Sequence, residues 1–352
     1  MIIKIIRNLL LHLYNSYKRK GFLNFLSEIN FIIKNRISLL LHRKLNTLPV
    51  FYNIGISSVC NLHCKFCNQA SYKQKGFTAL EKIQKISNQI PKFSDITIVD
   101  LGESFLHKDI DMILQIFKKR QNRITLFTNG SFLPSNLEGI LSSCNKLVIS
   151  IDSVDEEKVK FLRRNSSLKQ MKKVLIKISQ VKREKKIRNC ELVFNITISL
   201  YNYYEIKNIL YFLKEVGFER AVFNLIEDWD FKGKEREKVF QKKDEIVAIL
   251  QKSVQYCREN DLIISNFFDC NEANKLFKKK EHYSQCRWVE DCLVINWKGD
   301  LVPCCLRRDY RIFSLGNVYK SSLQTVLSSP KVEHFKKTKQ QQFICKNCNW
   351  YF

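Results

Sequence analysis

The chain has 352 residues, 45% of them hydrophobic, enough for a sizeable core in one large domain or two modest ones. Its 60 Lys and Arg outweigh 34 Asp and Glu, and the net charge of +26 favours anionic partners or a Lys-rich solvated surface. The sequence has no fixed-period repeat, no low-complexity tract and no apolar run long enough to cross a bilayer, so neither a solenoid nor a transmembrane helix is expected.

Residues 1–50 carry nine Lys and Arg and a single acid, Glu28. Ile2, Ile5, Ile6, Leu9 and Leu13 recur at helical spacing, and so do Phe22, Leu26, Ile29 and Ile33. The pattern predicts two basic amphipathic helices. They either make peripheral contact with an anionic membrane surface or pack on the rest of the chain or a partner protein. Lys4 and Arg7 interrupt the apolar start and no small-residue cleavage site follows, so no export signal is expected. That places the protein in the cytoplasm, or peripherally at the inner face of the membrane if the helices touch lipid. The thirteen cysteines are then expected to stay reduced.

From residue 51 the pattern changes to strands alternating with helices. Strands are predicted at Tyr52–Ser58, Asp95–Leu101, Arg123–Phe127, Lys146–Ile151, Glu191–Ser199 and Arg220–Leu225. Helices are predicted at Thr78–Ile90, Ile110–Lys119, Ser135–Leu141, Lys169–Lys185 and Tyr204–Val216. Six βα units in a row predict an α/β fold, a partial (β/α)6 TIM-like barrel, with its chemistry at the C-terminal ends of the strands. A charged, largely helical stretch spans 227–260. A hairpin follows, with strands Cys292–Trp297 and Leu301–Cys304 around a Lys298-Gly299-Asp300 turn. The predicted domains are a helical extension (1–50), the partial barrel (51–235), a helical connector (236–269) and a small C-terminal iron–sulfur module (270–352).

Clustered cysteines in a reducing compartment are metal ligands before they are disulfides. Cys60, Cys64 and Cys67 form C-x3-C-x2-C directly after the first strand. Three thiolates in one loop can hold three corners of a [4Fe–4S] cube and leave the fourth iron open. The competing reading is zinc with His63 as fourth ligand, at a spacing poor for a closed tetrahedral site. Single cysteines such as Cys144, Cys190, Cys257 and Cys270 are expected to be core or surface thiols.

The motif, with Phe66 before its third cysteine, resembles the radical S-adenosylmethionine superfamily. The resemblance implies that the open iron is chelated by the methionine amine and carboxylate of S-adenosylmethionine, whose cleavage yields a 5′-deoxyadenosyl radical. Later strand ends strengthen it. Asp100-Leu101-Gly102-Glu103-Ser104 resembles the family's Gly-Gly-Glu-Pro stretch, with Leu101 for the first Gly and Ser104 for Pro. By resemblance Gly102 and Glu103 meet the cofactor's amino group. Phe127-Thr128-Asn129-Gly130 resembles the family's Thr-Asn-Gly, and Ser150-Ile151-Asp152 its Ser-x-Asp facing the ribose and carboxylate. Arg163 resembles an arginine that pairs with the methionine carboxylate, with Arg164 as its rival. Asn195 and Asn224 are weaker polar candidates.

Twelve residues separate Cys286 from Gly299 and four separate Gly299 from Cys304, and Cys345-Lys346-Asn347-Cys348 closes the set. This resembles the SPASM module or its shorter relative, the twitch domain. It implies one auxiliary [4Fe–4S] cluster on Cys286, Cys304, Cys345 and Cys348, with Cys292 or Cys305 able to replace one ligand. A zinc ribbon is the alternative.

The resemblance implies an oxidoreductase that abstracts a hydrogen atom from a C–H bond, fed by a reducing electron donor of flavodoxin or ferredoxin type. The N-terminus has no obvious peptide-recognition domain, so the expected substrate is a sugar, cyclitol or lipid-linked small molecule undergoing two-electron oxidation. The alternatives are a maturase modifying a ribosomal peptide or protein and, from another class, a zinc-stabilised nucleic-acid-binding protein. No basic stripe interleaved with aromatics occurs, and no nucleic acid is expected as partner. No residue is singled out as general base.

Overall fold

The computed structural model describes residues 22–45, 47–71, 74–226, 235–265, 277, 286, 288–305, 313–339, 341–342 and 345. The first predicted amphipathic helix, Cys270 and Cys348 lie outside the described residues. So does the beginning of the 227–260 stretch.

The strands form where β-branched and aromatic residues alternate with polar ones. They are β1 (Phe51–Ile54), β2 (Asp95–Ile98), β3 (Arg123–Thr128), β4 (Lys146–Ser150), β5 (Glu191–Ile198), β6 (Arg220–Leu225), β7 (Ile263–Ser265), β8 (Cys292–Ile295), β9 (Asp300–Val302) and β10 (Gly316–Asn317). In β1, β2, β3 and β6 every second side chain is fully buried, whereas β5 is buried on both faces over its first four residues. Both patterns suit a parallel sheet covered by helices.

Crossover helices join successive strands. They are α2 (Leu80–Ser87), α3 (Ile110–Lys119), α4 (Leu137–Ser143), α5 (Glu156–Leu162), α6 (Leu168–Glu184), α7 (Ile206–Glu215), α8 (Glu235–Gln241) and α9 (Lys243–Glu259), preceded by α1 (Phe22–Leu45). Three start on side-chain caps, in which Asn136, Asp155 and Ser167 accept the N–H of Gly139, Lys158 and Gln170. Their apolar faces put Ile83, Ile86, Ile113, Phe117, Ile140, Leu175 and Leu210 into one core with Ile54, Ile98, Leu126 and Ile149. Two short helices, α10 (Leu323–Leu327) and α11 (Pro330–Thr338), complete the described elements.

All strands lie in one sheet ordered β10-β9-β8-β1-β2-β3-β4-β5-β6-β7. β1 to β7 run parallel, and β8 runs parallel to β1 on its other side. β9 and β10 add antiparallel strands. The sheet ends in two edges, so the barrel is partial and open, as expected. Sequence patterning missed α5, α10, α11 and β7, helices of nine residues or fewer and a strand of three, all too short for a clear period. It also treated the C-terminal hairpin as a separate module, whereas β8 extends the barrel sheet beside β1. Helix α1 crosses the N-terminal ends of the strands: Asn35 Nδ2 donates to Phe93 O at 2.9 Å, Arg123 sits over the Phe31 ring, and the His42 ring meets Glu290 O at 3.0 Å. Among the described residues no helix is long and apolar enough to span a membrane.

Candidate active site

After β1 the chain makes a long loop over the C-terminal end of the sheet. Its base is closed by Thr78 N donating to Ile56 O and Ser58 N to Gly76 O, both at 2.9 Å. Cys60, Cys64 and Cys67 sit in this loop, the first two half-buried and the third exposed. The N–H groups of Leu62 and Gln69 point at the sulfurs of Cys60 and Cys67, at 3.5 and 3.4 Å. The turn after α5 pins the loop from outside, through His63 N to Arg164 O at 3.2 Å and Lys65 N to Leu162 O at 2.8 Å. Three cysteines are therefore fixed by backbone contacts that do not depend on a ligand.

Their electrostatics show what they lack. Burial pushes the Cys64 thiol up to about 12, with the Arg163 guanidinium pulling the other way. Burial also raises Cys60, and the neighbouring thiols add to both shifts. Three thiols this close resist ionising together, and positive charge among them would release their protons. His63 faces Asn165, 3.1 Å from its side-chain nitrogen. Among the described residues no three His, Cys, Asp or Glu side chains converge as a single ion requires. Three thiolates in one loop suit three corners of a cube, whose irons each take one protein ligand. The loop fits the cube.

The end of β2 meets this loop. Gly102 N donates to Ser57 O at 3.1 Å, and a Cβ at Gly102 would lie 2.5 Å from the Ser57 backbone, so only glycine fits. Glu103 is 2% exposed. Its carboxylate accepts from Thr128 Oγ1 at 2.6 Å, Phe105 N at 2.9 Å and Asn129 N at 2.6 Å. Burial raises its pKa and those three donors oppose the rise. Where the family pattern has Pro, Ser104 begins a short 3-10 turn (Ser104–Leu106) capped by Glu103 itself.

β3 ends in the same network. Asn129 Nδ2 lies 3.7 Å from Cys60 Sγ and 3.0 Å from Asn61 Oδ1, and Asn61 donates to Ser131 Oγ at 2.8 Å. Beyond β4, Asp152 accepts from Arg163 Nε at 2.7 Å. Arg163 is 4% exposed and also reaches Asn129 O at 3.4 Å, whereas Arg164 is exposed. Ser150, half-buried at the last position of β4, lies opposite Asn195 in register and joins none of these hydrogen bonds. Asn224 donates to Asn195 Oδ1 at 2.7 Å. Gly102, Glu103, Thr128, Asn129, Asp152 and Arg163 thus surround the Cys60–Cys67 loop, and Ser150 stands at the margin.

Two residues that sequence reasoning missed tie the C-terminal hairpin to this site. Asp100 accepts from Trp297 N at 3.0 Å, and Thr78 Oγ1 donates to Trp297 O at 2.7 Å. The Trp297 ring leaves no room for a Cβ at Gly76. The signal was present in Trp297 itself, a large aromatic beside the Lys298-Gly299-Asp300 turn. Further along, Cys286, Cys304 and Cys305 pack with buried Cys292 and Trp288 in one small apolar cluster. Cys345 packs against the main core instead. Among the described residues the structure therefore gathers Cys286, Cys292, Cys304 and Cys305, while Cys345 packs on the main core.

Residues 54–213 match the family model described as the radical SAM superfamily, and residues 286–349 match that of SPASM, an iron–sulfur cluster-binding domain. The chain belongs to the radical SAM superfamily and carries a C-terminal SPASM domain. It is 23% identical over 304 residues to the antilisterial bacteriocin subtilosin biosynthesis protein AlbA of Bacillus subtilis strain 168, across 84% of this chain. The chain spans 63% of the length of that relative. SuiB of Streptococcus suis, solved with bound S-adenosylmethionine, has the same fold, with a TM-score of 0.67 at 18% identity over 87% of this chain and 72% of SuiB. So does anSMEcpe with bound AdoMet, with a TM-score of 0.62 at 18% identity over 86% of this chain and 87% of that one. Radical SAM enzymes with this domain use a catalytic [4Fe–4S] cluster, S-adenosylmethionine and an auxiliary cluster.

Proposed function

We propose that the chain is a maturase that modifies a ribosomal peptide or a protein by hydrogen-atom abstraction. The observation that carries the enzymatic part is the meeting of the three-cysteine loop with Glu103, Asn129 and Arg163 at the ends of successive parallel strands. The peptide part is supported by the relatives. AlbA is named for bacteriocin biosynthesis, and SuiB has also been solved with its precursor peptide SuiA, at a TM-score of 0.66. These likenesses favour the maturase over the sugar, cyclitol or lipid-linked substrate, whose support was the lack of an obvious N-terminal peptide-recognition domain.

In this reading Cys60, Cys64 and Cys67 hold the catalytic cluster, and the auxiliary cluster draws on Cys286, Cys304, Cys345 and Cys348. When bound, the cluster and S-adenosylmethionine supply a 5′-deoxyadenosyl radical that takes a hydrogen atom from the substrate. The protein's work is placement. Glu103, held by three donors, presents its remaining lone pairs to the cofactor's amino group. Gly102 lets the strand end lie flat against the loop. Thr128 and Asn129 fix the Glu103 carboxylate, and Asn129 also keeps a side-chain N–H toward Cys60. Arg163, oriented by Asp152, places positive charge beside the thiolates and faces the cofactor carboxylate. Ser150 and Asp152 border the ribose. Trp297 joins the C-terminal hairpin to the barrel through Asp100 and Thr78, and an auxiliary cluster, when bound, would supply a site able to take up an electron. A flavodoxin or ferredoxin supplies the reducing electron.

The test is anaerobic reconstitution with iron and sulfide, reduction, and incubation with deuterated candidates. Small peptides encoded beside the gene are compared with sugars and cyclitols. Deuterium appearing in 5′-deoxyadenosine from a peptide supports the proposal. Transfer from a sugar or cyclitol alone reverses the choice of substrate, and failure to cleave S-adenosylmethionine under any condition removes the enzymatic reading.

A further inference from the structure

Helix α1 is apolar on two opposite sides. One side holds Phe31, Ile32 and Leu39 and packs across the N-terminal ends of the strands, with Leu39 5% exposed. The other carries Leu26, Ile33, Ile37, Leu40 and Leu41, all between 44% and 57% exposed. At 1.5 Å per residue this stripe runs about 22 Å along the helix. Elsewhere in the described residues exposed large apolar side chains, such as Met112, Phe132 and Ile176, come from separate elements. Exposed Asn30 interrupts the stripe between Leu26 and Ile33, and from Ile33 to Leu41 the apolar side chains follow one another; such a row marks an interaction surface where scattered residues do not.

We propose that this stripe is a lipid-facing surface, which seats the enzyme on an anionic bilayer with its catalytic opening turned away. Lys34 and Arg36 are both exposed and, by helical periodicity, flank the stripe on either side. The Arg36 stem can lie along the apolar face while its charge reaches headgroup phosphates, and Lys34, whose Nζ lies 4.4 Å from the centre of the Phe93 ring, has to leave that ring to do the same. By sequence residues 1–50 hold nine cations against one acid, a balance that suits an anionic surface. A second copy of the chain fits less well, because pairing two stripes would bring two sets of Lys34 and Arg36 together. A convex helix face also lacks the pocket that a protein partner's anchor residues fill. The position of α1 suits the lipid. The helix lies under the strand beginnings, while Cys60, Glu103, Thr128 and Asp152 follow or end strands at the opposite side of the sheet. Lipid contact would leave that opening free, whichever substrate it takes.

The experiment is flotation of the reconstituted full chain, anaerobically, with two vesicle types. One is phosphatidylcholine alone, and the other is phosphatidylcholine and phosphatidylglycerol in equal parts. The expected result is binding to the mixed vesicles at low salt, weakened by added salt, and little binding to the neutral ones. The triple substitution Ile33→Glu, Ile37→Glu and Leu40→Glu should reduce binding about tenfold or more, because each charge must be dragged into or held off the interface. S-adenosylmethionine cleavage and the thermal transition should stay unchanged in that variant. Replacing Lys34 and Arg36 together by Glu should remove the preference for phosphatidylglycerol. Failure to bind mixed vesicles, or binding that survives the triple substitution, overturns the proposal. So does light scattering that shows a dimer which the same substitution splits into monomers, since the stripe is then a contact between copies.

Discussion

The two cysteine-bearing regions of this enzyme are built in opposite ways. The front loop is held by its surroundings: β1 leads into it, the turn after α5 clamps it, and the ends of β2 and β3 close around it. The rear group draws cysteines from a strand, a hairpin end and a distant segment. Among the described residues Cys286, Cys292, Cys304 and Cys305 pack together, and Cys345 packs on the main core from a segment about forty residues further along the chain. A site whose residues come from successive strand ends is assembled by the sheet register. A site whose ligands are far apart in the chain must be gathered, and metal binding supplies part of the free energy for that gathering. The front site should therefore tolerate cluster loss as a fold, and the rear site should not.

The largest effects come from breaking either cluster. Cys60→Ser, Cys64→Ser or Cys67→Ser should each reduce S-adenosylmethionine cleavage to background and leave about four of about eight irons per chain. The thermal transition should move little, because the loop's hydrogen bonds are backbone ones. Cys304→Ser should lower iron to a similar level but keep cleavage while product disappears. It should also make the C-terminal region sensitive to proteolysis. Equal destabilisation by the two kinds of substitution would erase the contrast between the regions.

The legibility of the chain follows the same division. The strand–helix alternation was readable because β3, β6, α3 and α7 carry clean periods, and β5, buried on both faces at its start, is rich in β-branched and aromatic residues. The front motifs were readable because Cys60, Gly102, Thr128 and Asp152 each stand at or just past a predicted strand end. Sequence could not show that Glu103 is locked by Thr128 and the Asn129 N–H, since those contacts join separate strands. Nor could it choose between Arg163 and Arg164, which differ only in which side of the turn they face. The Asp100–Trp297 link was hidden for a stronger reason. Nothing local in the C-terminal hairpin announces that β8 pairs with β1, and without that pairing the two residues have no cause to meet.

Effects of intermediate size test the network around the front loop. Glu103→Gln keeps the shape but removes the charge that three donors share. Hydrogen bonds to a charged group are worth about 1.5–3 kcal/mol, so affinity for S-adenosylmethionine should fall about ten- to a hundredfold, read by equilibrium binding. The apo-protein should show a related change with pH. Burial raises Glu103 above its unfolded value, so the folded state holds that proton more tightly, and stability falls as pH rises through the raised range. Glu103→Gln should flatten that part of the profile. Arg163→Lys loses the planar contact with Asp152 and should weaken cofactor binding about tenfold, while Arg164→Lys, on an exposed residue, should leave it unchanged. A larger effect at Arg164 would reassign the role.

The smallest expected effect addresses how the two regions are joined. Asp100 spends one carboxylate oxygen on Leu101 N, at the start of the Gly102-Glu103 segment, and the other on Trp297 N in the C-terminal hairpin. A Cβ at Gly55 would overlap its carboxylate, so glycine there makes the room that this side chain occupies. Asp100→Asn keeps the volume but turns one of the two acceptors into a donor. If that donor faces Trp297 N, two N–H groups oppose each other and the hairpin must shift. If the amide flips, Leu101 and the adjoining cofactor segment are disturbed instead. The loss of one charge-assisted bond should cost about 1.5–3 kcal/mol at most, less whatever water recovers. Cleavage and product formation measured together separate the outcomes. A fall of a few-fold in product with cleavage intact would show that Asp100 serves the hairpin. Parallel loss of both would show that its principal partner is Leu101, and that the two cysteine regions depend on the β1–β8 pairing rather than on this side chain for their alignment.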